Sequence, residues 1–133
     1  MTTQPKILAF AGSTRKDSFN KKLIKVAVEG AKKAGAQVTL VDLKDYPMPL
    51  YDGDLEKEKG LPENAKVLKK LFAQHQGFLI SAPEYNSSIS GVLKNTIDWL
   101  SRKESESEPE LIAFKDKVAG LMSASPGGLG GLR

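Results

Sequence analysis

Residues 8–23, LAFAGSTRKDSFNKKL, place an apolar run, a glycine and a cluster of hydrogen-bond donors directly before a lysine-rich segment. The apolar run KILAFAG (6–12) predicts a buried β-strand that ends at Gly12. From Ser18 onward the apolar residues recur with helical spacing, which predicts an amphipathic helix that ends near Gly35. The donors therefore lie between the end of a strand and the beginning of a helix.

One face of this first helix is expected to be apolar and buried. Lysines occupy most of the other positions, as is typical of a helix with one face in water. The predicted buried face consists of Phe19, Leu23, Val26, Ala27, Gly30, Ala31 and Ala34.

The rest of the chain continues to alternate strands and helices. The predicted elements are a strand at 36–43, a helix that begins at Pro62, a strand at 77–83, a helix at 91–102 and a strand at 117–125. Prolines and glycines make residues 44–62 irregular, and the charged residues 103–110 are expected to be solvated. The order β-α-β-α-β-α-β predicts a parallel sheet with helices on both faces.

Composition restricts the class of protein. A chain of 133 residues fits one domain, and the absence of cysteine excludes disulfides, thiolate metal sites and cysteine catalysis, which fits a reducing cytosol. The N-terminus lacks the apolar core of a signal peptide, and no apolar run approaches the roughly 20 residues that span a bilayer. The net charge of +4 favours an anionic ligand, but basic residues interleaved with aromatics, typical of nucleic-acid binding, are missing.

The loop after the first strand suits a phosphate group. Free main-chain N–H groups at a helix N-terminus attract anions, and the hydroxyls of Ser13, Thr14 and Ser18 add donors. The Asn20 amide and the Arg15 guanidinium complete the set. In the alternative interpretation, Ser18 only caps the helix and Arg15 lies on the surface; the two interpretations are compatible.

Two further strand ends carry unusual loops. In PEYNSSISG (83–91) the Tyr85 ring suits stacking on a planar heterocycle, or the loop is a turn with a packed tyrosine. In SASPGG (123–128) the glycines permit close backbone approach, or form a simple turn. The P-loop motif is absent, as is the G-x-G-x-x-G dinucleotide fingerprint after strand 1.

In this order and spacing, GSTRKDSFN, PEYNSSISGVLKNTIDWLSR and SASPGG resemble the NAD(P)H-dependent FMN reductase family of flavodoxin-like proteins, which includes quinone, chromate and azo-dye reductases. The resemblance implies an α/β, doubly wound parallel sheet in the order 2-1-3-4. It implies that the first loop holds the FMN phosphate, the second borders the ring and ribityl chain, and the third closes over the flavin. The implied cofactor-binding residues are Gly12, Ser13, Thr14, Arg15, Ser18, Phe19, Asn20, Pro83, Glu84, Tyr85, Asn86, Ser87, Ser123, Ser125, Gly127 and Gly128.

The resemblance also implies an activity. NADPH or NADH reduces FMN and leaves, and the electrons then pass to a quinone, a flavin, an azo compound or a metal oxyanion. No catalytic side chain and no metal are expected, because the cofactor carries the chemistry. The expected protein is cytoplasmic and a homodimer or homotetramer, with Trp99 and residues 50–60 as candidate contacts. For Trp99, internal packing or a subunit contact is expected rather than stacking on the flavin. His75 is expected on the surface or at a helix cap.

The chain departs from the family pattern at its end. Family members continue with a helix, a fifth strand and a final helix, so residues 1–133 are expected to form one incomplete domain whose fourth strand is a bare edge. A fragment, a separate second chain and a naturally short form are the alternatives, and truncation is favoured.

Two other functions remain to be compared. An FMN-binding electron carrier without NAD(P)H turnover shares the fold, but long-chain carriers are usually acidic and this chain is basic. A signalling receiver domain needs an acidic cluster after strand 1, where this chain has Gly12 and Ser13.

Overall fold

The computed structural model describes residues 3–133 and contains a four-stranded parallel sheet in the order β2-β1-β3-β4, as the sequence predicts. Helices pack on both faces of the sheet, so the flavodoxin-like fold is confirmed. The elements are β1 (Lys6–Ala11), α1 (Phe19–Lys33), β2 (Gln37–Leu40), a 3₁₀ turn (Leu43–Asp45), α2 (Gly53–Lys59), α3 (Glu63–Gln74), β3 (Gly77–Ser81), α4 (Gly91–Leu100) and β4 (Val118–Met122).

The strand register brings three loops to one edge of the sheet. Ala11, Ser81 and Met122 are level with one another across β1, β3 and β4. From β1 the chain crosses to β2 on one side, whereas β3 pairs with β1 on the other side. The carboxyl ends of β1 and β3 therefore flank the point where the strand order reverses, which is where open α/β sheets bind ligands.

The two faces of the sheet have different cores. Leu8, Phe10 and Phe78 pack against α3 and α4, and the Phe72 ring lies 5.4 Å from Phe10 and 4.7 Å from Phe78. The opposite face carries Ala9 and Ala11, whose small side chains lie against α1. Each fully buried large side chain contributes about 1.5–3 kcal/mol of hydrophobic stabilisation.

The buried face of α1 differs from the predicted one. Phe19 and Val26 are 63% and 69% exposed, and Gly30 and Ala34 are exposed too, whereas Asn20, Ile24 and Val28 are buried. The Asn20 amide is buried because Ser81 and Ala124 hydrogen-bond to it. The buried face of α1 is therefore offset by one residue from the predicted apolar face.

Two boundaries also differ from the prediction. β2 ends at Leu40 instead of residue 43, because the Asp42 carboxylate accepts the Lys44 N–H at 2.9 Å and begins a 3₁₀ turn. Helix α2 lies inside the stretch predicted to be irregular. Asp52 caps its N-terminus, and Gly60, with φ of 72°, ends it.

His75 and Trp99 are both buried. His75 is the C-cap residue of α3, so the predicted capping position is confirmed; the surface position is wrong, because its ring contacts Leu71 O at 2.6 Å and Thr39 Oγ1 at 3.1 Å. Trp99 is 0% exposed, and its Nε1 donates to Pro49 O at 2.7 Å. Its packing role is confirmed, and it has no exposed surface to offer to a partner.

The outer edge of β4 is unpaired within residues 3–133, and its side chains are open to solvent. Val118 and Leu121 are 78% and 77% exposed on opposite faces of the strand. The bare edge that the sequence predicts is therefore present. Among the helices of residues 3–133, none has the length and apolarity needed to cross a membrane.

Candidate functional site

The N-terminus of α1 presents unpaired donors at the end of β1. Ser18 is the N-cap residue, and its Oγ accepts the Lys21 N–H at 3.3 Å. The main-chain N–H groups of Phe19 and Asn20 have no acceptor within residues 3–133. Such groups, together with the helix dipole, form an anion-binding position.

The residues before Ser18 add polar groups around this position. Ser13 is buried and its Oγ accepts the Arg15 N–H at 3.3 Å, so its hydroxyl proton is free to donate to another group. Thr14 and Arg15 are exposed, and Arg15 forms no ion pair among the described residues. The loop therefore combines a hydroxyl donor, a guanidinium and a helix N-terminus.

Gly12 is held between β3 and α4. Its N–H donates to Ser81 O at 2.8 Å, and its carbonyl accepts the Ser90 hydroxyl at 2.6 Å. A Cβ at this position would lie 3.1 Å from Ala82 Cβ and 3.3 Å from Leu93 Cβ. Gly12 is therefore required for the close approach of α4 to the end of β1.

The second loop contains a tight turn with an exposed aromatic ring. Tyr85 and Ser88 exchange two main-chain hydrogen bonds, at 2.9 and 3.1 Å. Between them Asn86 and Ser87 have φ of 52° and 62°, which is the pattern of a type I′ turn. The Tyr85 ring is 54% exposed, so the turn is present and the packed-tyrosine alternative is wrong. Pro83 and Glu84 are half-buried at its base.

The third loop lies against both other loops. The Ala124 N–H donates to Asn20 Oδ1 at 2.9 Å, which joins the third loop to the first. Three residues beyond the third loop, the Gly131 N–H donates to Glu84 Oε2 at 2.7 Å, which joins the following segment to the second loop. The Ser125 hydroxyl accepts the Gly127 N–H at 3.2 Å, and both Gly127 and Gly128 are exposed. The third loop is thus anchored to α1 at Ala124.

Two cavities border these loops. One of about 310 Å³ lies between the second and third loops, where Ile80, Ala82 and Leu121 provide apolar walls. Ser123 also lines it, and the Ser123 Oγ is buried without a hydrogen-bond partner among the described residues. A buried hydroxyl without a partner costs free energy, so this atom suits a bound polar group.

The other cavity, of about 450 Å³, lies beside the first loop between α1 and the end of β2. Four lysines and three aspartates line it, and Lys21 pairs with Asp42 at 2.9 Å. Burial alone would raise the pKa of Asp42, but hydrogen bonds from Lys21 and the Lys44 N–H, together with their charges, hold that pKa below its usual value. The Asp42 carboxylate is therefore ionised at neutral pH.

The structure brings the predicted site residues together at one edge of the sheet, with one qualification. The Phe19 ring lies in solvent, 5.1 Å from Lys22 Nζ, so only its main-chain N–H faces the site. Sequence reasoning missed Ser81, Ser90 and the Ala124 N–H, although Ser90 carries a readable signal as the N-cap of α4. No cluster of three or more His, Asp or Glu side chains suited to a metal ion occurs within residues 3–133.

Comparison with known proteins gives consistent matches. A family model described as NADPH-dependent FMN reductase matches residues 5–133. An NAD(P)H:quinone oxidoreductase from Solanum tuberosum is 37% identical over 100% of this chain, and a quinone reductase from Escherichia coli K12 is 33% identical over 100% of it. The structure of FerB, a flavoenzyme NAD(P)H:(acceptor) oxidoreductase from Paracoccus denitrificans, aligns with 94% of this chain at 32% identity and a TM-score of 0.74.

These relatives are longer than this chain. The matched region is 66% of the Solanum tuberosum and Escherichia coli proteins and 63% of the FerB chain. The chain thus spans just under two thirds of each relative, and that part includes all three loops described above.

Proposed function

The chain belongs to the NADPH-dependent FMN reductase family, and from that membership we propose that it binds FMN and transfers electrons from NADPH or NADH to a quinone or another small acceptor. The observation that carries the proposal is the convergence of three loops at the ends of β1, β3 and β4, with unpaired donors at the N-terminus of α1. The proposal covers residues 1–133 as one FMN-binding domain.

The residues present fit the two ends of FMN. The N–H groups of Phe19 and Asn20, the Ser13 hydroxyl and the Arg15 guanidinium would hold the phosphate, because they supply donors and positive charge around one point. At the other end, the exposed Tyr85 ring suits a planar aromatic ring system. The unpaired Ser123 hydroxyl suits a polar atom near it.

In the proposed mechanism bound FMN would supply the redox chemistry, that is, hydride transfer from NADPH or NADH and electron transfer to the acceptor. The chain binds and orients the cofactor. Main-chain N–H groups of the second and third loops would stabilise negative charge on the ring, as preorganised donors do in other active sites. No side chain of the site is assigned a proton transfer, and quinones, flavins, azo compounds and metal oxyanions are all proposed acceptors.

We further propose a homodimer or homotetramer that works in the cytoplasm. The support for association is the exposure of two large apolar side chains, Leu50 and Ile89, which are 79% and 40% exposed. The cysteine-free composition supports a reducing compartment.

Anaerobic reduction tests the proposed activity. The chain, reconstituted with FMN, is mixed with NADPH and the flavin absorbance is followed. Bleaching within seconds, followed by recovery when a quinone is added, is the expected result. Stable FMN binding without bleaching by NADPH or NADH would favour the electron carrier, and absence of FMN binding would refute both functions.

A further inference from the structure

The Asn20 side chain joins the first and third loops through a single oxygen atom. Asn20 is 4% exposed in the first turn of α1, and its Oδ1 accepts the Ser81 hydroxyl at 2.8 Å and the Ala124 N–H at 2.9 Å. A main-chain N–H can only donate, so the oxygen of the amide, and not its nitrogen, must face Ala124. The orientation of the Asn20 amide is therefore fixed by the third loop.

The same constraint fixes where the other half of the amide points. With Oδ1 occupied by Ser81 and Ala124, the Nδ2 group makes no hydrogen bond within residues 3–133. Asn20 also provides one of the two unpaired main-chain N–H groups at the start of α1. One residue thus supplies donors to the first loop and an acceptor to the third.

We propose that Asn20 is a positioning residue that couples the two ends of the site: its amide oxygen holds the third loop in place through Ala124, while its N–H groups face the anion position. This inference rests on the proposed function for its ligand, a flavin nucleotide. It predicts that loss of the amide oxygen weakens binding of the flavin ring even when the ligand has no phosphate.

Two substitutions distinguish the role of the Asn20 amide oxygen from the role of its NH₂ group. Asn20→Asp keeps an acceptor for Ser81 and Ala124 but replaces the Nδ2 donor with a negative oxygen. Asn20→Ala removes both. If Asn20 only fills space in the core, each substitution should lower the affinities for FMN and riboflavin equally. Under the proposed coupling, Asn20→Ala lowers the affinity for both ligands, whereas Asn20→Asp lowers the affinity for FMN alone.

The first measurement uses flavin-free protein and does not depend on the proposed function. Amide hydrogen exchange at Ala124, measured by NMR, is expected to accelerate on the order of tenfold in Asn20→Ala and to stay within about twofold of the parent chain in Asn20→Asp. Ser81→Ala is the matched control. It removes the other donor to the same oxygen and leaves the Ala124 hydrogen bond intact, so exchange at Ala124 should stay near the parent value.

The second measurement compares dissociation constants for FMN and riboflavin. Asn20→Ala is expected to weaken riboflavin binding about three- to tenfold, because the third loop is no longer held. Asn20→Asp is expected to leave riboflavin binding within about twofold and to weaken FMN binding on the order of tenfold or more, because a carboxylate then faces the phosphate.

The outcomes are distinguishable. Unchanged exchange at Ala124 in Asn20→Ala, or equal loss of riboflavin affinity in Asn20→Ala and Asn20→Asp, would overturn the coupling. If Asn20→Ala does not fold, Asn20→Asp decides alone. Rapid exchange at Ala124 or loss of riboflavin binding contradicts the inference, whereas slow exchange at Ala124 together with riboflavin binding supports it. Failure of the parent chain to bind either flavin would refute the proposed function and, with it, the ligand-binding half of the inference, whereas the exchange result still decides whether Asn20 holds the third loop.

Discussion

The Ser90 hydroxyl donates a 2.6 Å hydrogen bond to the carbonyl of Gly12, 78 residues away in the chain. Ser90 is also the N-cap of α4, where its Oγ accepts the Leu93 N–H at 3.4 Å. One buried hydroxyl thus begins a helix and completes the hydrogen bonding of the strand end from which the first loop departs. The position of the first loop therefore depends on a residue that lies outside it.

Ser90→Ala should lower the free energy of unfolding by about 1–3 kcal/mol, because the buried Gly12 carbonyl loses its donor and α4 loses its cap. Urea unfolding followed by circular dichroism measures the change. The control is Ser101→Ala at the other end of α4, where the half-buried hydroxyl only donates to Asp98 O within the same helix. A cost for Ser101→Ala equal to that for Ser90→Ala would contradict the role assigned to the Gly12 contact.

Gly12→Ala should also destabilise the chain, by about 1–3 kcal/mol, because its Cβ would meet Ala82 and Leu93 at 3.1 and 3.3 Å in a packed region. Gly30→Ala is the matched control, since nothing lies within 4 Å of its Cβ position and it is exposed in α1. Thermal and urea unfolding should show Gly30→Ala stabilised by about 0.5–1 kcal/mol. Equal effects of the two substitutions would refute the close approach at Gly12.

The fold was predictable because its signals are local. Short apolar runs closed by glycine or proline gave β1 and β3, and the alternation with helices predicted the parallel sheet. The error in the buried face of α1 occurs where distant contacts override the local pattern. Asn20 is buried by partners 61 and 104 residues away, and no periodicity in α1 reveals them.

Helix α2 was missed for a different reason. It has seven residues, none of them buried, so it offers no apolar face to detect. Asp52 before Gly53 was its one readable signal.

The candidate site was predictable in its loops but not in its supports. Ser13, Arg15 and Ser18 stand out in the sequence because several donors follow a strand. Ser81 and the Ala124 N–H do not, because a serine inside a strand and a main-chain N–H carry no motif. Their contribution depends on the strand register, which the sequence leaves open.

Arg15→Ala should reduce FMN affinity on the order of tenfold to a hundredfold and barely change riboflavin affinity, because a charged hydrogen bond contributes about 1.5–3 kcal/mol and only FMN carries the phosphate. Fluorescence titration with both ligands measures the difference. Lys25→Ala is the control: it removes the same charge from the wall of the cavity beside the first loop but lies two turns into α1. Equal losses for FMN and riboflavin would exclude a phosphate contact, and equal losses in both variants would indicate general attraction instead.

The Glu56–Arg102 pair should make stability depend on pH in acid. Arg102 Nε and Nη2 donate to the two Glu56 oxygens at 2.8 and 2.9 Å, and these hydrogen bonds lower the pKa of Glu56 below its usual 4.5. Because the pKa is lower in the folded state, the stabilisation is complete above about pH 4.5 and disappears as the pH falls through the folded pKa.

Glu56→Gln isolates this contribution. Arg102 is half-exposed, so solvent screens the pair, and Glu56→Gln should cost no more than about 1 kcal/mol at pH 7. The difference between the two proteins, measured by urea unfolding over an acid pH series, should shrink progressively as the pH falls below 4.5. A difference that shrinks nowhere below pH 4.5 would show that the pair does not contribute through its charge.

The exposed edge of β4 should make this 133-residue chain associate with itself. Val118 is 78% exposed on a strand whose outer edge is unpaired among residues 3–133, and such an edge accepts another strand. Val118→Lys should therefore reduce self-association, measured by light scattering over a concentration series, because a charged side chain opposes strand addition. Val26→Lys is the control, since Val26 is 69% exposed on α1, away from any strand edge. If both substitutions reduce scattering equally, net charge and not the β4 edge governs association. If neither reduces scattering, the β4 edge does not mediate association.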